Sequence, residues 1–286
     1  MKTVDKNSLL ILFSALVLSD FSPAGLAQTP DLFISETVTV GPGSFDYRKS
    51  GEYLKDGYPV NAPMENTVFK TPLEIMKYQV KVGDYELCVA EGECAEYRNH
   101  GRHDGQLPVT GVNYQDATNY ARWLSRKTKA NWRLPSDQEW AYAAGSRFID
   151  DAINVKPDRE NPAARWLAKY EKYADLETGS DPLIKPPGSY GANEHEIYDM
   201  SGNIWEWTNS CYERTRMDVD ENEIGKTENC GIRIVAGQHR AYITYFIQDA
   251  KGGGCSVGAP PDYLGFRLVK DGNYGLIQRL LSSFDF

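Results

Sequence analysis

The sequence predicts an α+β fold, one compact domain of short elements joined by many turns. Three observations carry this expectation. Glycine and proline are plentiful, 25 and 15 among 286 residues, and they punctuate regular structure. Two segments carry helix caps ahead of apolar residues at helical spacing, while others alternate like half-buried strands. No internal repeat, low-complexity tract or sharp shift of composition divides residues 28–286, which therefore read as a single domain.

The chain opens with Lys2 and Lys6, the apolar run LLILFSALVL, and SPAGLAQ, whose Gly25 and Ala27 suit cleavage after Ala27. This is the pattern of a signal peptide, residues 1–27, and it implies a periplasmic or secreted mature protein. The run is short for a bilayer span, and nothing later is apolar enough for one, so no membrane span is expected.

Residues 28 to about 75 read as short strands and turns, with ETVTVGPGSFDY alternating until it breaks at Gly-Pro-Gly. EIMKYQVKVGDYELCVAEG then passes from strand to helix, with Val82, Tyr85 and Val89 at helical spacing. Asn113 and Asp116 form a capping pair ahead of Ala117, Tyr120, Ala121 and Leu124 on one helical face. Ser136 with Glu139 is a second capping box, followed by WAYAA and a stop at Gly145. Residues 146–190 are charged, and NPAARWLAKYEKYADL within them reads as an inserted surface helix. The Gly- and Tyr-rich remainder closes with YLGFRLVKDG, a buried final strand.

A net charge of −9 argues against nucleic acid or an anionic membrane as partner. There is no dinucleotide fingerprint, Walker loop or nucleophile elbow. GGGCSVG has the glycines of an anion cradle without its lysine and helix. Of the four histidines, His100, His103, His195 and His239, the first two sit in HGRH, which reads as a solvated turn. Five cysteines in an oxidising compartment predict disulfides. The expected pairs are Cys88–Cys94, bracketing a short loop, and Cys211–Cys230, flanking the charged loop YERTRMDVDENEIGKTEN, although four cysteines allow three connectivities. Cys255 is left over, either buried and inert or kept for reactivity.

YDMSGNIWEWTNS poses the sharpest question. Its oxygens, from Asp199 and Glu206 and from backbone carbonyls near Gly202 and Ile204, either hold a calcium ion, with Trp205 and Trp207 walling it from water, or hold each other and staple a core.

Three blocks in order, LPVTGVNYQDATNYARWLSRKTKANWRLPSDQEWAYAAG, YDMSGNIWEWTNSCY and LGFRLV, resemble the formylglycine-generating (sulfatase-modifying-factor) family. The resemblance implies a C-type-lectin-like α+β domain with little regular secondary structure. It implies a structural calcium site on Asp199, Gly202, Ile204 and Glu206; a second calcium site of the family falls where the 146–190 insertion stands and is not expected. Copper-binding members use two cysteines a few residues beyond an arginine–glycine–glycine–serine stretch. In RIVAGQHRAYITYFIQDAKGGGC, Ala236, Gln238 and His239 replace the arginine, a glycine and the serine, and no cysteine lies between His239 and Lys251. The thiolate pair that copper(I) favours is missing, so no copper is expected and formylglycine-type cysteine oxidation is the weaker alternative.

Within the family, the signal peptide, CVAEGEC and GGGCSVGAPPDYLGFRLV most resemble the periplasmic pyoverdine-maturation branch of pseudomonads. That likeness implies an oxidoreductase that converts the dihydropyoverdine chromophore to pyoverdine, with dioxygen as a possible electron acceptor. Its partners would be a siderophore peptide precursor and other periplasmic maturation enzymes. The catalytic candidates are His239 as base, Arg240 to hold a catecholate or carboxylate, and Cys255. Glu206 is a further base if no metal claims it. Tyr242 and Tyr245 are candidates to stack on the chromophore. The rival expectation is a non-catalytic, lectin-like binding module for a peptide or partner protein.

Overall fold

The computed structural model describes residues 36–97, 104–155, 161, 163–177, 183–244 and 263–272. The signal-peptide reading of residues 1–27, and His100, His103, Tyr245 and Cys255, lie outside the described residues.

The expected α+β class is found. The first part of the chain is six short strands, β1 Thr37–Val40, β2 Gly43–Arg48, β3 Glu52–Lys55, β4 Tyr58–Val60, β5 Met64–Phe69 and β6 Leu73–Met76. Helices α1 Val82–Ala90 and α2 Tyr114–Thr128 follow, then β7 Asn131–Arg133, α3 Asp137–Ala144 and the inserted α4 Ala163–Glu177. The chain ends in β8 Trp205–Met217, β9 Glu223–Ala236, β10 Arg240–Thr244, β11 Leu264–Gly265 and β12 Val269–Asp271.

Both capping boxes form. Asn113 and Asp116 exchange backbone-to-side-chain hydrogen bonds of 2.9 Å at the start of α2. Ser136 and Glu139 do the same at α3, at 2.7 and 3.1 Å. Each satisfies N–H groups that a helix start would otherwise leave open. The apolar face of α2 then meets α1 through the stacked rings of Tyr85 and Tyr120, with Phe266 set edge-on against both.

One sheet runs β1-β6-β12-β7. Leu73, Ile75 and Val269 from this sheet pack with Trp140 of α3 and with Ile197 and Met200. The second runs β10-β9-β8-β3-β4, with β11 pairing in parallel to β8. The final "strand" expected over YLGFRLVKDG is thus two short strands that serve different sheets, with Phe266, Arg267 and Leu268 buried between them.

The largest departure is the β8–β9 hairpin. The charged loop expected between Cys211 and Cys230 is strand, turned at Asp218–Asn222, where the Asp218 carboxylate accepts the Asp220 and Asn222 N–H groups at 2.9 Å. The distal hairpin is largely solvated, so charged side chains are compatible with strand there, and Glu213 and Lys226 pair across it at 2.7 Å. Both expected disulfides, Cys88–Cys94 and Cys211–Cys230, are present. The second sits where the β8–β9 register shifts.

Candidate functional site

The turn over residues 198–206 is tied to its surroundings by hydrogen bonds and an ion pair. Glu206 is 1% exposed, and each of its carboxylate oxygens accepts two hydrogen bonds. Oε1 takes Arg267 Nη2 at 2.7 Å and Gln79 Nε2 at 2.9 Å; Oε2 takes Arg267 Nε at 2.6 Å and Trp140 Nε1 at 2.9 Å. A carboxylate offers about four lone-pair sites, and here all are used. Asp199 accepts the Gly188 and Tyr190 N–H groups at 2.5 and 2.8 Å. Asp199 and Glu206 are both buried and both engaged, Asp199 by two backbone N–H groups and Glu206 by a guanidinium, so the set Asp199, Gly202, Ile204 and Glu206 does not fit a calcium ion. Nor do Trp205 and Trp207 wall the Glu206 carboxylate. Neighbouring residues of a strand face opposite sides, so Trp140 and Gln79 cover Glu206 while Trp207 donates to the Val112 carbonyl at 2.9 Å.

Gly202 also differs from expectation. The left-handed backbone falls on Asp199, Ser201 and Asn203, with φ of 59°, 57° and 64°. Gly202 is instead where the chain passes Tyr190: a Cβ there would meet that ring at 2.9 Å.

His239 and Arg240 lie at the β9–β10 junction, and neighbouring residues engage both. Arg240 is 3% exposed and paired with Asp137 at 3.1 Å and Asp151 at 2.7 Å, and it donates to the Arg48 carbonyl at 2.9 Å. Burial opposes its charge, yet Asp137 and Asp151 hold its pKa well above the ordinary arginine value. It cannot also clamp a substrate carboxylate. His239 stacks on Tyr173 of α4, centroids 3.6 Å apart, and meets Trp205 edge-on at 4.5 Å. Its Nδ1 lies 3.0 Å from the Arg240 carbonyl, which fits an N–H donor there. Burial pushes its pKa down to about 4, so it is neutral at pH 7. His239 is packed behind Tyr173 and is not part of the nearby cavity wall.

That cavity, of about 300 Å³, opens between α4 and the β3–β4 hairpin. Tyr53, Tyr173, Tyr212 and Tyr242 contribute aromatic walls. Tyr242 accepts the Gly51 N–H at 2.8 Å and packs edge-on against Tyr212 at 5.3 Å. Arg48, Lys49, Arg165 and Lys169 make the lining strongly cationic, against Glu52 and Asp151. Burial raises the pKa values of Tyr173 and Tyr242, which keeps both phenols neutral.

The insertion is what encloses this space. Arg165 donates to Asn61 at 2.6 Å, and Lys172 to the carbonyls of Asp150 and Ala152 at 2.6 and 2.9 Å, which pins α4 to the body. Arg165, Lys169 and Tyr173 recur every fourth residue, the spacing of one helical face. That repeat was the available sequence signal for the site, and a surface-helix reading passes over it. Arg267 and Gln79, the partners of Glu206, carry no local signal because they arrive from distant segments.

Cys88, Cys94, Cys211 and Cys230 are all in disulfides.

Comparison with known proteins places the chain. A family model described as the sulfatase-modifying factor enzyme 1-like domain matches residues 24–272. The formylglycine-generating enzyme of Mycobacterium tuberculosis is 37% identical over 117 residues, 39% of this chain and 36% of that protein. The inactive C-alpha-formylglycine-generating enzyme 2 of Mus musculus is 32% identical over 125 residues, 40% of this chain and 35% of its own length. The matched stretch thus spans about a third of these curated relatives. The structure of PvdO from Pseudomonas aeruginosa aligns over 83% of this chain and 95% of that one, with a TM-score of 0.54 and 21% identity, a likeness of fold.

Proposed function

The chain belongs to the sulfatase-modifying factor family, and from that premise we propose that it is a periplasmic tailoring enzyme of siderophore maturation. Its reaction is the oxidation of the dihydropyoverdine chromophore to pyoverdine on a peptide precursor, alongside other periplasmic maturation enzymes. The observation that carries this reading is the tyrosine-walled, cation-lined cavity under α4. Its volume is at the small end for ligand pockets and suits one fused aromatic ring. The signal-peptide pattern supports the compartment, and no helix among the described residues is long and apolar enough to cross a membrane.

The reaction is a dehydrogenation. The ring loses two electrons and two protons as it aromatises, and dioxygen takes both, leaving as hydrogen peroxide. A catechol passes electrons to oxygen unaided once ionised, so the protein need supply only orientation, a dry wall and a field that favours the ionised ring. Tyr173 and Tyr242 supply the stacking surfaces, and the basic side chains supply the field. No step runs through copper or calcium.

The test is to incubate the mature protein with dihydropyoverdine under air and follow chromophore absorbance against a protein-free control, then repeat with Tyr173→Ala and Tyr242→Ala. Acceleration lost in the variants supports the enzyme. Tight binding with no acceleration supports the non-catalytic module, a reading favoured by the stacking of His239 on Tyr173 and the pairing of Arg240. Neither binding nor acceleration sinks the siderophore reading.

A further inference from the structure

We propose that Lys169 is the anion-holding residue of the cavity, its ammonium pairing with the ionised hydroxyl of a planar aromatic ligand and promoting that ionisation. This deepens the proposed function and rests on its reading of the cavity as the substrate site.

The cations of the wall are not equivalent. Arg48 is bound to Asp150 at 2.6 Å, and Lys49 to Glu65 at 3.1 Å. Arg165 donates to Asn61 and to the Ile153 carbonyl at 2.6 and 3.1 Å. Lys169 has no hydrogen-bonded or carboxylate partner among the described residues; its ammonium lies over the Tyr173 ring, 5.4 Å from the centroid. The nearby acids are engaged elsewhere: Asp151 with Arg240 at 2.7 Å, and Glu52 with Arg214 at 2.5 Å and Tyr212 at 3.0 Å. Lys169 therefore lines the aromatic cavity with no carboxylate within salt-bridge distance among the described residues.

The groups that face it come from each packed element. Asp151 and Arg165 flank it from the insertion, Glu52 from β3, Arg240 and Tyr242 from β10, and Tyr212 from β8. Burial lowers the Lys169 pKa, and Arg165 and Arg240 push the same way against Asp151 and Glu52. An incoming oxyanion would reverse that unfavourable environment. A neutral ligand would not, and a cation would meet repulsion. The neutral tyrosines cannot stabilise the anion by charge, so they fix the ring while Lys169 fixes its oxygen. The hydroxyl proton leaves to solvent through the open side of the cavity. Lys169 keeps its three hydrogens and donates one to the oxygen.

Nitrocatechol tests this directly, because its ionisation is visible in absorbance. The bound probe is titrated on the wild-type chain, on Lys169→Met and on Lys169→Arg, with Lys169→Gln in reserve should the methionine variant not fold. On wild type, about tenfold more of the bound probe is ionised at a given pH than of the free probe, as expected for one opposite charge within reach. Lys169→Met loses that shift and Lys169→Arg keeps it. Equal midpoints on wild type and Lys169→Met overturn the proposal, as does a bound wild-type probe that titrates like the free one. The two readings separate cleanly. A shifted nitrocatechol with dihydropyoverdine left unoxidised keeps Lys169 and ends the proposed reaction. Dihydropyoverdine oxidation that Lys169→Met leaves intact, with nitrocatechol unshifted, does the opposite.

Discussion

Glu206 and Arg267 meet side by side in the interior, Nε to Oε2 at 2.6 Å and Nη2 to Oε1 at 2.7 Å, with both side chains no more than 1% exposed. The pair ties β8 to the link between β11 and β12. Trp140 and Gln79 extend it to α3 and to the loop before α1, while Arg267 Nη2 also donates to the Tyr198 carbonyl at 3.0 Å. A guanidinium is thereby the cation of the acidic turn.

Removing one partner leaves a buried charge without compensation. Glu206→Gln and Arg267→Met are each expected to lower the unfolding free energy by about 3–5 kcal/mol, read from urea denaturation midpoints at constant m-value. Calcium chelation of the wild type should leave the melting temperature unchanged. A drop of several degrees on chelation would return the site to calcium.

Much of the local structure was legible in the sequence because its causes are local. The Asn113–Asp116 and Ser136–Glu139 boxes lie within four residues of themselves, and both helices start where those residues stand. Glu206 was legible as buried and important, but not as paired, since Arg267 lies 61 residues away. The β8–β9 hairpin was hidden by its composition: half of it projects into solvent, where alternating Glu, Arg and Lys read as a loop. The cavity was hidden because its walls come from β3, α4, β8 and β10, which meet only in the folded chain.

His239 gives a pH signature with a definite sign. Its folded pKa of about 4 lies below the ordinary 6.5. Its contribution is complete above pH 6.5 and is lost as pH falls toward 4, where the unfolded chain binds a proton that the folded one refuses. The total is on the order of 3 kcal/mol. Asp84 works in reverse: burial raises its carboxyl from 3.8 to about 6, so it adds stability as pH falls through the same window. The difference between wild type and His239→Phe is therefore the quantity to measure. The variant, which keeps an aromatic ring between Tyr173 and Trp205, should gain on wild type as pH drops from 6.5 to 4. Parallel stability curves would show that His239 is not held neutral.

The Cys211–Cys230 disulfide closes a separation of 19 residues around the hairpin. The chain-entropy account puts such a cross-link at about 3 kcal/mol. Cys211→Ser/Cys230→Ser should lose roughly that amount, whereas Cys88→Ser/Cys94→Ser, with a separation of 6, should lose less through this term. Thermal melts of the two double variants decide the order, and a larger loss for the shorter loop would contradict it.

Gly265 predicts the cost of a close backbone approach. It sits in β11 opposite Glu206, and a Cβ there would meet the Val109 carbonyl oxygen at 2.1 Å and the Ile204 side chain at 2.7 Å. The first of these is backbone and cannot turn aside, so the strand itself must move, and with it the Glu206–Arg267 pair two residues along. Gly265→Ala should cost about 1–3 kcal/mol or more. Gly41→Ala is the matched control: nothing lies within 4 Å of its added Cβ, so its change should stay within about 0.5 kcal/mol. Denaturation midpoints of the two variants provide the comparison. Equal effects would mean that β11 has room beside Val109, and that the glycine of YLGFRLV is not fixed by that contact.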